Sequence, residues 1–345
     1  MNATNWLSSK LNLLRNSAPA SVPPEEVTRS TRERLGATLR VHKEALSPRS
    51  LRRTLLLLQS VVDPKVSEVE GGRRAKALAD WYAKAETSER QDLWLLISEQ
   101  FGPDPLKVRA ARVEYDAALG SVDEGAAEIR LRRALVSPRT RLLQRFAAYP
   151  GGMRFLVDLR AEMLPQMKGN KRLLALDAEL ENLFSTWFDV AFLELRTISW
   201  DSPASLIEKL IKYEAVHDIR SWADLKNRLD SDRRCYGFFH PSLPNEPLIF
   251  VEVALVTTIS KEVGPLLDKK SESLDSKKFK TAIFYSISNC QPGLRGVSLG
   301  NFLIKRVAEK ILQEIPSVKT FCTLSPIPGF NRWLDALPGS PALEA

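Results

Sequence analysis

Near Trp187-Phe188 the spacing of apolar residues changes character, and that change limits what the chain can fold into. Upstream, from about Glu25 to Phe188, apolar positions recur three or four apart with Arg between them, as in Ser50-Leu51-Arg52-Arg53-Thr54-Leu55-Leu56-Leu57-Leu58 and from Pro138 to Phe146. That period fits the turn of an α-helix and would scatter a strand's apolar residues over both faces. Downstream, Pro247 to Val256 and Phe279 to Ile287 are short β-branched and aromatic runs; a third is expected at Val318 to Leu324, with a helix between the last two. The expected fold class is α+β, an all-α helical bundle over 25–188 followed by a mixed α/β domain over 189–345. A length of 345 residues suits two domains, each with its own core.

Local signals refine this outline. Ser137 before Pro138 reads as a side-chain cap with proline at the first helical position. Ser88 with Gln91 reads as a capping box ahead of Leu93 to Ile97. Helix breaks are expected at Gly71-Gly72, Gly102-Pro103 and Pro150-Gly151-Gly152. Two short helices are expected to start at Ser202-Pro203 and Ser221, each with a side-chain cap and the first with Pro at its first helical position. The charged, Ser-rich stretch from Lys261 to Lys278 reads as an exposed excursion.

Composition excludes some classes of function. No run approaches the roughly 18 to 20 uninterrupted apolar residues of a membrane span, so no membrane partner is expected. Cys235, Cys290 and Cys322 lack CxxC spacing, and His42, His217 and His240 are the three histidines. Neither a zinc site nor a disulfide framework follows, which suits a reducing, cytoplasmic setting. Residues 1–24 hold Lys10 and Arg15 but no acid. They read as a flexible leader, with a mitochondrial transit peptide as the alternative. A formal charge of +8 permits an anionic partner, and a polyphosphate ligand satisfies it as well as nucleic acid does.

The stretch Gln291-Pro-Gly-Leu-Arg-Gly-Val-Ser-Leu-Gly-Asn-Phe-Leu-Ile-Lys-Arg306 carries the most chemistry. It leaves a strand, crosses a loop holding Gly293, Gly296 and Gly300, and enters a helix whose apolar face is Leu299, Phe302, Leu303, Val307, Ile311 and Ile315. Glycines allow close approach of a ligand to the backbone, and unpaired amides at a helix start attract phosphate. Arg295 can add a charge-assisted contact. Glycines that simply turn the chain would give the same pattern. With its flanks, the segment resembles the acyl-CoA-binding core of the GNAT acetyltransferase fold.

Four blocks in order narrow this further: His240 to Leu255, Ala282 to Ser288, Gly293 to Val307, and Leu324-Ser-Pro-Ile-Pro-Gly-Phe330. Together they resemble the malonyl-CoA decarboxylase family, with a fainter likeness through Gly151 to Arg160 and Trp200-Asp-Ser-Pro203. The resemblance implies a helical oligomerisation domain, hence a homo-oligomer, and an acetyltransferase-like catalytic domain that needs no metal or redox cofactor. It implies malonyl-CoA as substrate and acetyl-CoA as product, bound by Arg295, Gly296, Val297, Ser298, Leu299, Gly300 and Asn301, with Ser325 catalytic. No nucleic acid is implied as a partner.

Loss of carbon dioxide leaves a thioester enolate, so such a site needs donors for the oxyanion and an acid for the carbon. Ser325 is followed by Pro326 and Pro328, which fix its backbone, although a serine capping a turn would look the same. Ser286 is a second polar candidate near the thioester, with a strand hydroxyl facing solvent as the plainer reading. The family's Asn-Phe-His-Leu-x-Asn-Gly block has no match here, and none of His42, His217 or His240 replaces its histidine. The expectation is therefore a catalytic domain lacking its C-terminal part, with apolar surface exposed near the C-terminus that the tail Pro338 to Ala345 does not cap. Two alternatives stay open: a catalytically impaired CoA-binding protein, and an acyl-CoA-dependent acyltransferase.

Overall fold

The computed structural model describes residues 48–268, 275–297, 299 and 302–336. The expected leader and His42 lie outside them. Contacts group the chain into two compact units that divide between Leu180 and Glu181.

The first unit is helical, as the 3.6-residue period requires. It runs through α1 (Pro48–Val62), α2 (Glu68–Tyr82), α3 (Thr87–Gln100), α4 (Pro105–Ala118), α5 (Glu124–Leu135), α6 (Pro138–Ala147), α7 (Gly152–Met163) and the start of α8 (Leu174–Trp187). Leu58, Leu93, Leu96, Leu142, Phe146 and Leu156 are wholly buried in its core. Ser137 caps α6 by accepting from the Thr140 amide, and breaks fall at Gly102-Pro103 and at Gly151, where φ is +87°.

Two expectations fail here. Gly71 and Gly72 lie inside α2 and do not end it. Gly71 admits the buried guanidinium of Arg145, which donates to the carbonyls of Ser67 and Val66 at the α1–α2 turn; a Cβ on Gly71 would fall 1.5 Å from its Nη1. The gain of saturating those carbonyls outweighs the roughly 1 kcal/mol that a helical glycine costs. The capping box of α3 also starts two residues early. Glu86 takes the cap position and its amide donates to Glu89 Oε2 at 3.0 Å, so Ser88 and Gln91 fall within the helix.

The second unit is a five-stranded sheet in the order β1 (Glu194–Ile198), β2 (Arg233–Phe239), β3 (Pro247–Val256), β4 (Thr281–Asn289), β5 (Thr320–Thr323). β1 to β4 pair antiparallel, and β5 joins β4 in parallel. Successive residues of a strand face opposite sides. On one side Cys235, Phe250 and Cys290 pack against α9 (Ala204–Tyr213) and α10 (Trp222–Arg228). Ala254, Ile283 and Tyr285 continue that side under Leu266 of α11 (Gly264–Leu267). On the other, α12 (Phe302–Glu314) meets Tyr236, whose hydroxyl donates to Glu314 at 3.2 Å, and sets Arg306 over the Phe238 ring. Leu303, Val307, Ile311 and Ile315 of that helix face are buried as expected. The chain continues to α13 (Phe330–Asp335).

Two details differ from expectation. Pro203 lies just before α9, not in its first turn, and Ser202 Oγ accepts from the Ser199 amide and caps nothing in the helix; Ser221 does cap α10. The Lys261 to Lys278 excursion is not wholly exposed, because Leu266 is buried and its carbonyl takes an N–H from Arg233 at 2.9 Å.

Candidate functional site

The exit of β4 is tied down before the glycine-rich turn begins. The Cys290 amide donates to the Leu248 carbonyl at 2.9 Å, and Gln291 Nε2 reaches the Pro247 carbonyl at 2.7 Å, so the exit is held to the start of β3. A 3₁₀ turn at Pro292–Leu294 follows. Within it the amides of Leu294, Arg295 and Val297 donate to the carbonyls of Gln291, Pro292 and Leu294 at 2.9, 3.1 and 3.0 Å. Those amides close the turn on itself. Arg295 and Gly296 are exposed, whereas Val297 and Leu299 are buried beside α12. Gly296 has φ of +86°, a conformation that costs any residue with a Cβ, and that Cβ would stand 3.4 Å from Glu181 Oε1. Ser298, Gly300 and Asn301 lie outside the described residues.

β4 and β5 part company in mid-strand. Their register ends at Phe284 opposite Thr323, with one more bond from the Leu324 amide to the Phe284 carbonyl at 2.8 Å. β4 runs on to Asn289, so among the described residues its edge from Tyr285 to Asn289 has no strand beside it on that flank. Ser325 lies at the point of divergence, exposed and two residues past β5. After it the apolar side chains of Ile327 (72% exposed), Phe330 and Trp333 (58%) face solvent.

Where β4 becomes free on that flank, it also bulges on the other. Glu252 of β3 pairs with Ser286, but Val253 pairs with Phe284, which leaves Tyr285 as an extra residue. The extra residue turns both Tyr285 and Ser286 toward the side of the sheet that bears Glu252. Ser286 is therefore not the solvent-facing hydroxyl that strand alternation suggests. It is buried and donates to Glu214 Oε1 and Oε2 at 2.7 and 2.9 Å. Ser288 donates to the same carboxylate at 3.1 Å, and the amides of Val216 and His217 each reach it at 2.9 Å.

Beside this group, Arg228 pairs with Glu252 and donates to the His217 carbonyl at 2.7 Å. Glu252 has no exposed surface, and burial, reinforced by the Glu214 charge and opposed by Arg228, pushes its carboxyl up to about 7. Burial likewise pushes the Tyr285 phenol well above its usual range. Sequence reading missed Glu214, Arg228 and Glu252. One signal was present: Glu252 is the only charged residue in the run Leu-Ile-Phe-Val-Glu-Val-Ala-Leu, where a lone acid must find a partner. Of the other histidines, His240 packs edge-on against Phe188 with ring centroids 4.9 Å apart, and burial lowers its pKa.

Comparison with known proteins bears on this geometry. Residues 101–188 match the model of the malonyl-CoA decarboxylase N-terminal domain, and residues 191–342 match that of its C-terminal domain. The mitochondrial malonyl-CoA decarboxylase of Anser anser anser is 37% identical over 91% of this chain and 63% of its own length. That of Mus musculus is 37% identical over 76% of this chain and 56% of its own length. This chain thus spans less than two thirds of either curated relative. Among solved structures, malonyl-CoA decarboxylase from Rhodopseudomonas palustris aligns with a TM-score of 0.76 at 41% identity, covering 84% of this chain and 71% of that one. The enzyme from Agrobacterium vitis gives 0.77 at 38%, with the same coverage. Identity at that level, with family models matching residues 101–188 and 191–342, places this chain in the malonyl-CoA decarboxylase family.

Proposed function

We propose that this chain binds malonyl-CoA and acts as a carboxy-lyase, releasing carbon dioxide and acetyl-CoA. The observation that carries the reading is the divergence of β4 from β5: an open strand edge from Tyr285 to Asn289 leads to the glycine-rich turn and α12, and Ser325 stands where it begins. An extended pantetheine arm, with its amide groups, is the kind of chain that adds to an open strand edge. The diphosphate then falls at the entry to α12, where helix-start amides and Arg295 supply positive potential. With the amides of Leu294, Arg295 and Val297 spent inside the turn, the work passes to Gly296, Ser298, Gly300, Asn301 and the first turn of α12. Val297 and Leu299 anchor the turn to the core.

Decarboxylation moves the electron pair of the breaking C–C bond into a thioester enolate. The Ser325 hydroxyl donates to the enolate oxygen or holds the acyl group, and a proton delivered to carbon gives acetyl-CoA.

Incubation with malonyl-CoA followed by chromatography tests the reading. Acetyl-CoA formed in step with carbon dioxide supports it, a new acyl-acceptor product means a transferase, and binding without turnover means a CoA-binding protein. Homo-oligomerisation belongs to the same reading. The α4–α5 hairpin exposes Val113, Leu119, Ile129 and Leu135, an apolar surface that suits a second copy. Light scattering that gives a monomer mass would remove that part. Among the described residues no helix is long and apolar enough to cross a membrane, and Cys235, Cys290 and Cys322 are free thiols, which favours a reducing cytoplasmic setting.

A further inference from the structure

We infer that Glu214 is a positioning residue for the acyl-CoA site, because its carboxylate clamps Ser286 and Ser288 and so fixes the strand edge that the pantetheine arm would line. The inference rests on the binding reading above and adds to it a residue far from the glycine-rich turn in sequence.

Glu214 follows directly on α9, whose last turn receives its amide at Leu210. The carboxylate thereby lies under the sheet, buried among Ser286, Ser288 and the 215–217 backbone. Its two oxygens accept from both serine hydroxyls and from the amides of Val216 and His217, while the Ala215 amide donates to Ser288 Oγ at 3.1 Å. Each of these donors belongs either to the last half of β4 or to the linker after α9. The Glu214 carboxylate therefore acts as a staple between those two segments.

Stability alone does not account for a charge in this position. The neighbouring face is apolar, built from Ile207, Leu225, Cys235 and Cys290. A buried charge is commonly replaceable by apolar side chains at no loss of stability, so what this carboxylate supplies is the geometry its four donors impose. The geometry here has a natural failure mode. β4 carries its register break at Tyr285-Ser286 and, among the described residues, has no strand beside it beyond Phe284 on the β5 flank, so on that flank no described strand resists a slip of the segment. Strand pairs slip where register is weakly specified, and a slip of one residue would turn the inward serines away and bring Ile287 to their side. Ser286 sits in the bulge and Ser288 lies three residues before the glycine-rich turn leaves Gln291, so pinning both sets the whole open edge.

Calorimetric titration of the full chain tests this with two probes, coenzyme A and adenosine 3′,5′-bisphosphate. The second carries the nucleotide end but has no pantetheine arm. The wild type is expected to bind both. Glu214→Gln, the same size but without the charge, should weaken coenzyme A binding about tenfold, the scale of one or two hydrogen bonds, while bisphosphate affinity stays within about twofold. Ser286→Ala, which keeps Glu214 and its other donors, should shift coenzyme A binding in the same direction by less, and serves if Glu214→Gln does not fold. Unchanged coenzyme A affinity in both variants overturns the inference, and so does equal weakening toward the two probes, which would mean a general loosening of the unit. A wild type that binds neither probe removes the site itself, and the inference with it. A wild type that binds both leaves the site standing whatever the variants do.

Discussion

Glu252 gives the sharpest test of how this sheet is held. Its carboxyl is buried without exposed surface against Arg228 of α10, Glu214 beyond α9, Cys235 of β2, and Tyr285 and Ser286 of β4. Burial moves it from 4.5 to about 7. A carboxyl raised in the folded state binds its proton more tightly than in the unfolded chain. Its contribution to stability is therefore complete below about 4.5 and is lost as pH rises through about 7. At about 1.4 kcal/mol per pH unit, the loss between pH 5 and pH 8 is roughly 2 to 3 kcal/mol. Glu252→Gln keeps the shape and cannot titrate. It leaves Arg228 without its anion, but that penalty is the same at every pH because arginine stays charged.

The stability of Glu252→Gln relative to wild type should thus improve by roughly 2 to 3 kcal/mol from pH 5 to pH 8. A chain of two units need not unfold in one step, so the measurement is hydrogen exchange of β3 peptides, corrected for the intrinsic pH dependence of exchange. A difference between variant and wild type that stays constant across that range would show that Glu252 is ionised throughout, and would refute the argument from burial.

Ser325→Ala should lower turnover of malonyl-CoA about a hundredfold with coenzyme A affinity little changed; equal losses in both would make the serine a structural residue. Gly71→Ala places a methyl 1.5 Å from Arg145 Nη1 and should destabilise the helical unit by about 2 to 4 kcal/mol, read from urea unfolding; a neutral outcome would mean that the guanidinium has another place to go. Glu181→Gln removes a carboxylate from beside Gly296 and should raise coenzyme A affinity a few-fold at low salt, with the gain fading at about 0.5 M salt. An effect that ignores salt would mean that Glu181 does not face the diphosphate.

What the sequence disclosed follows from which signals are local. β3 was legible to the residue, Pro247 to Val256, because a long β-branched run buried on nearly every position leaves no competing period. The cap at Ser137 and the buried face of α12 were legible for the same reason, since each depends on residues within two turns of one another. β1 and β2 were not seen. Glu194-Leu-Arg-Thr-Ile is a short edge strand whose charges face out, and Arg233-Arg234 hides the start of β2. Arg233 is buried there only because Asp232 and the Leu266 carbonyl, 33 residues away, receive it. The same distance effect made Gly71-Gly72 look like a break, since the side chain that needs the space at Gly71 lies 74 positions downstream at Arg145.

The candidate site divides along the same line. The glycine-rich turn and Ser325 are contiguous motifs and could be named from the sequence. The polar cluster behind them could not, because its members come from the end of α9, the end of α10, β3 and β4. The bulge at Tyr285-Ser286 then reverses the inference that alternation gives. Counting by twos along Phe-Tyr-Ser-Ile-Ser puts Tyr285 and Ser286 on opposite faces, whereas the extra residue puts both on the side of Glu252. The lone acid in β3 was the one readable sign that something polar had to converge there. A sequence can show that a buried charge needs partners, but which partners arrive depends on a one-residue change of register on the neighbouring strand.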